Sequence, residues 1–216
     1  MPIEILSYFL KHENLYVKTA FQVILQCAPL LKGLKVASMI SMEKESCWIL
    51  NTLLEGTDIE YQKLSSIQNQ NIVLFFRRKQ LEQYLGIREV REFLNEFGYS
   101  QVELDQMLKR LSQNLKKGKK SEFPHEIGIF LGYPIEDVKG FIKWQGRKYL
   151  FAGYWKVYAH LVETKELFQA YDKAKEQSIQ EFLNGKSILE WNRKYTGNGR
   201  SNCKRNRKCR GKCGCF

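Results

Sequence analysis

Cys27 and His125 are the residue types that, set side by side, perform nucleophilic chemistry. A thiolate needs a neighbouring imidazole to lower its pKa and carry a proton, and a third group to orient the ring. Glu126 is a poor orienter on a strand, where adjacent side chains point to opposite faces. The pair reads as the dyad of a thiol-dependent hydrolase or transferase. The plain alternative is a half-buried Cys in a tight turn and a His bonded at a strand start. A second group, Arg77, Tyr133, Tyr154 and Lys156, offers cations and phenols for holding a small ligand, Arg77 and Tyr133 at the ends of apolar runs. The third is Cys203, Cys209, Cys213 and Cys215, a set of thiols able to wrap Zn or another soft metal. Their spacing lacks the paired C-x2-C of a zinc knuckle, so adventitious metal binding is the competing reading. His12 and His160 have no partner at metal-binding spacing.

The elements that must position these groups follow from patterning. Ile127 to Leu131 is an apolar run closed by Gly132, which reads as a buried strand. Pro134 suits a first helical turn, Glu136 and Asp137 favour its positive end, and Ile135, Val138, Phe141 and Ile142 recur at helical spacing. On such a strand His125 and Tyr133 lie about 25 Å apart. The thiol edge and the Tyr–Lys edge then belong to different sites.

Elsewhere, residues 2–26 fit short amphipathic helices broken at Glu13–Asn14. Cys27 to Gly33 reads as a turn leading to a strand near Leu34–Ile40, and Glu43–Glu55 as a helix burying Trp48. A strand is expected at Asn71–Phe76, helices at Gln80–Phe97 and Gln101–Leu115, a strand through Tyr149–Tyr158, and a long helix from Thr164 to Leu183. Alternating strands and helices predict a single layered α/β domain over residues 1–191. Its sheet is expected to be small, mostly parallel or mixed, and flanked by helices. Residues 192–216 read as a flexible basic Cys-rich tail.

Three-quarters of the net charge of +12 belongs to that tail, since nine Lys or Arg and no acid follow Asn192, against 26 basic and 23 acidic residues before it. Non-specific nucleic-acid association is therefore expected of the tail alone. No run of apolar residues is long enough to span a bilayer, and no signal-peptide pattern opens the chain, so a cytoplasmic protein is expected. In that reducing setting the cysteines suggest metal or redox chemistry before disulfides.

Cys27-Ala28-Pro29 with Gly33-Leu34-Lys35, the string FPHEIGIFLGYP from Phe123 to Pro134, and GYWKVY from Gly153 to Tyr158 resemble the signatures of a clostridial domain-of-unknown-function family. Leu30-Leu31 departs from the Thr-Leu usual after its Cys-Ala-Pro. The resemblance implies a cytosolic protein without an established activity, so it transfers no catalytic residues. It also implies a link to iron or redox metabolism, with a flavodoxin as a possible partner. The reading that follows is an accessory protein binding a small ligand, metal or redox partner.

Overall fold

The structure is a computed structural model and describes residues 3–100, 103–117 and 124–188. Helix α1 (Ile3–Leu10) and helix α2 (Leu15–Leu31) are separated at the expected break. Asn14 caps α2, its side-chain oxygen accepting from the N–H groups of Tyr16 and Val17 at 2.9 and 3.2 Å. Cys27-Ala28-Pro29 is not a turn, as the sequence suggests, but the buried last turns of α2. The chain reverses only at Gly33, where Leu34 N–H reaches Pro29 O and Gly33 N–H reaches Leu30 O.

Strand β1 (Ala37–Glu43), a 3-10 turn (Glu45–Ile49) and helix α3 (Leu50–Leu54) come next. Trp48, expected inside, is 77% exposed. Strands β2 (Ile59–Ile67) and β3 (Gln70–Arg77) form a hairpin, and the sheet order is β1-β3-β2. Both pairings are antiparallel. The expected parallel or mixed sheet is thus corrected to a mixed α/β fold with antiparallel sheets. The physical reason is the tight β2–β3 connection, with Gln68 at φ 53°, which leaves no room for a crossover.

Helices α4 (Arg78–Leu85), α5 (Arg88–Glu96), α6 (Leu104–Lys117), α7 (Ile127–Phe130) and α8 (Ile135–Lys143) follow. Two short strands, β4 (Phe151–Ala152) and β5 (Lys156–Val157), pair antiparallel, and helix α9 (Leu161–Leu183) closes the described chain. The strand expected through Tyr149–Tyr158 is therefore a tight hairpin, turned at Gly153–Trp155.

β3 organises the core because both of its faces are buried. Leu74 and Phe76 pack with α4 to α8, while Val73 and Phe75 pack with α2, α3 and Ile179 of α9. A smaller cluster of Trp155, Val157, Phe168 and Tyr171 fastens the hairpin to α9. Among the described residues no helix is long and apolar enough to cross a membrane.

Candidate functional site

Ile127 to Phe130 form one helical turn, not the strand expected from their composition. The run is apolar on every side because it is buried on every side, and periodicity cannot separate strand from helix in that case. Gly128 permits the turn. A Cβ there would stand 2.9 Å from Val138 Cγ2 and 3.2 Å from Tyr133 Cδ2. Gly132 ends it at φ +73°, with Tyr133 N–H on Gly128 O at 2.9 Å and Gly132 N–H on Ile129 O at 2.9 Å. The chain doubles back, Pro134 caps α8, and His125 and Tyr133 come to line one cavity. The separation of about 25 Å expected for an extended strand is overturned by this compact turn.

The cavity measures about 470 Å³ and lies between α7, α8 and the β4–β5 hairpin, with Met39 of β1 also in its wall. Tyr133 and Trp155 stack at 4.6 Å with 25° between their planes, and Phe168 meets Trp155 edge-on at 4.6 Å. The Tyr84 hydroxyl donates to the Tyr133 carbonyl and fixes that turn. Burial pushes the Tyr133 phenol up to about 12, so near neutral pH it is a hydrogen-bond donor and not an anion. Lys35 Nζ sits 5.0 Å from the Tyr133 ring, and burial draws its pKa down to about 8.

Asp137 is the structural pivot. Its buried carboxylate accepts from Trp155 Nε1–H at 2.7 Å and from the N–H groups of Tyr158 and Ala159 at 2.6 and 3.0 Å. A buried carboxylate is tolerable when its lone pairs are occupied, and here they tie α8 to the strand that faces it. The sequence marks Asp137 only as a favourable charge for a helix N-terminus.

Lys156 Nζ donates to the Gly146 carbonyl at 2.7 Å and lies 5.8 and 4.9 Å from the rings of Phe141 and Tyr149. It has no carboxylate partner among the described residues. His125 is exposed beside Phe141, ring centroids 5.0 Å apart. Tyr154 lies at the rim, its hydroxyl donating to Asp172 at 2.9 Å, and burial with that carboxylate raises its pKa. Among the described residues the lining holds no Ser, Thr or Cys.

Cys27 and Arg77 lie elsewhere. Cys27 has no exposed surface and packs between α2 and the sheet. Burial pushes its thiol up to about 12, with Lys35 and a Ser38 hydrogen bond offsetting only part of the effect. That is the reverse of an activated thiol. The parallel strand edge expected to unite Cys27 with His125 is absent from the observed sheet. Arg77 is buried under α2, donating to the carbonyls of Leu30 and Leu31 at 3.2 and 3.4 Å and pairing with Asp58. It caps a helix C-terminus. Glu126 is buried and accepts from Tyr99 OH at 3.0 Å.

Cys203, Cys209, Cys213 and Cys215 lie outside the described residues. Among the described residues no group of three or more His, Cys, Asp or Glu side chains is placed to hold a metal.

Residues 23–191 match the model of a family described as a protein of unknown function, DUF3793. The chain belongs to that family. No curated protein and no solved structure matches it. The DUF3793 match includes the whole of the cavity as well as Cys27 and Arg77. Sequence reasoning selects His125, Tyr133, Tyr154 and Lys156, which the fold assembles. It misses Phe141, Trp155 and the clamp at Asp137.

Proposed function

We propose that this DUF3793 chain is an accessory protein that binds a small planar ligand carrying an acidic group, held in the cavity beside α8. The observation that carries the reading is the approach of one ammonium, Lys156, and one imidazole, His125, to a wall made by the Tyr133–Trp155 stack. A largely apolar cavity of this size with a few convergent polar groups is the usual form of a small-molecule site. A flat apolar body suits the rings, and an anion suits an ammonium that no carboxylate among the described residues neutralises. With no Ser, Thr or Cys among the described residues of the lining, the site favours holding a ligand over attacking it.

The test is calorimetry with 2-naphthoate and its neutral counterpart 2-naphthylmethanol. The acid binds the wild-type chain roughly tenfold more tightly, as one charge-assisted contact implies. Lys156→Met removes that preference while leaving the alcohol's affinity unchanged. Equal affinity for both compounds in the wild type, or an acid preference that survives Lys156→Met, overturns the reading. A wider link to metal or redox metabolism, with a flavodoxin-like partner, rests on the family resemblance. Failure of the immobilised chain to retard purified flavodoxin at low salt removes it.

A further inference from the structure

Beyond the cavity, residues 138–162 contain five Lys or Arg and no Asp or Glu. Within this stretch Trp144, Tyr149 and Phe151 are 37%, 45% and 37% exposed, and none of them lines the cavity. Each ring carries an ammonium. Lys148 and Lys143 stand 4.0 and 5.1 Å from the centre of Trp144, Lys156 stands 4.9 Å from Tyr149, and Lys165 stands 5.2 Å from Phe151. The loop that presents them is held in place. Gly146 N–H bonds Phe141 O at 2.9 Å, Arg147 N–H bonds Trp144 O at 2.9 Å, and Leu150 N–H bonds Val157 O at 2.8 Å. Gln145 and Lys148 adopt left-handed backbone, φ 51° and 56°, which brings Lys148 back over Trp144.

We propose that this strip binds single-stranded nucleic acid, with bases stacking on Trp144, Tyr149 and Phe151 and phosphates resting on Lys143, Lys148 and Lys165. Along the sequence Lys143, Trp144, Lys148, Tyr149 and Phe151 interleave cations with rings, as phosphates and bases interleave along a single strand, and stacking accepts any base. The nearest acids in sequence do not cancel the charge pattern. Asp137 is buried and bonded, and Glu163 and Glu166, which flank Lys165 on α9, make no ion pair with Lys143, Lys148 or Lys165 among the described residues. An anionic bilayer is the less suitable polyanion. Leu150 is the sole aliphatic among the large exposed apolar side chains of residues 144–154, where insertion would favour several. The residues of this strip all precede Asn192 in the sequence.

The test uses the full chain and a fluorescein-labelled oligothymidylate of about fifteen nucleotides, followed by anisotropy across a salt series. The wild type binds at low salt. The Trp144→Ala/Phe151→Ala double variant loses about tenfold or more in affinity. Lys148→Gln/Lys165→Gln lowers the slope of log affinity against log salt by roughly one per charge removed. Should the ring variant fail to fold, Lys148→Glu/Lys165→Glu, which keeps every ring, carries the same expectation of lost binding. Unchanged affinity in the ring or charge-reversal variant overturns the proposal and assigns binding to the residues after Asn192. Absence of oligonucleotide binding at low salt, with or without capture by phosphatidylserine vesicles, overturns it as well.

Discussion

β3 separates two regions that contain similar chemistry and use it differently. Toward α2, Cys27, Ser38 and Arg77 are sealed, and their polar atoms are engaged with one another, with Asp58 or with the carbonyls ending α2. Toward α7 and α8, His125, Tyr133 and Lys156 surround open volume. Residue type alone draws attention to the α2 side, since a thiol is the stronger nucleophile. Access decides otherwise. The cavity side keeps its rigidity by sacrificing one acid, Asp137, to structure and leaving the lysine and imidazole at the surface of the void.

Four measurements break or sharpen this contrast. The largest effect is in thiol reactivity. Alkylation of Cys27 requires the core to open, so mass mapping after iodoacetamide treatment shows it about a thousandfold or more slower than half-buried Cys47. Comparable rates would mean that the α2 side is not closed. Next is Asp137→Ala, which orphans three donors and costs roughly 3 to 5 kcal/mol in urea unfolding. A loss below about 1 kcal/mol would remove Asp137 as the pivot. Arg77→Met costs about 2 to 3 kcal/mol by exposing the unmet carbonyls of α2. Naphthoate affinity is unchanged in that variant, and a large change would show that the two sides are coupled.

The smallest effect is in pH dependence. Lys35 has a folded pKa near 8 and an ordinary value of 10.5, so between them the unfolded chain binds more protons. Stability contributed at Lys35 therefore rises with pH across that window. The unfolding free energy of the wild type relative to Lys35→Met should increase between about pH 8 and 10.5, measured by urea titration. A flat difference would show that Lys35 is fully hydrated in the folded chain.

Much of the fold was legible in the sequence, and the failures share a cause. The Glu13–Asn14 break is readable from its cap and α9 from its helical spacing, while β3, buried on both faces, is readable from its β-branched and aromatic composition. Ile127–Leu131 is not, because burial on all sides erases the alternation that marks a strand or a helix. β2 escapes notice because Ile59–Ile67 is largely polar and takes its place through pairing with β3. Four site residues are identifiable by type, but their meeting depends on the reversal at Gly132, and the Gly-Tyr-Pro string reads as a turn without revealing its direction. Trp155 and Asp137 become significant only once that reversal places α8 against the hairpin.

Except for Met39, every side chain around the cavity lies between His125 and Lys156. By contrast, α2 meets α9 through contacts such as Lys32–Glu181, made across most of the chain length. Chain segments close in sequence find each other at small entropic cost, and distant ones only after a long loop is shut. The cavity is thus a local product of one continuous stretch, whereas the packing around Cys27 waits for α9 to arrive.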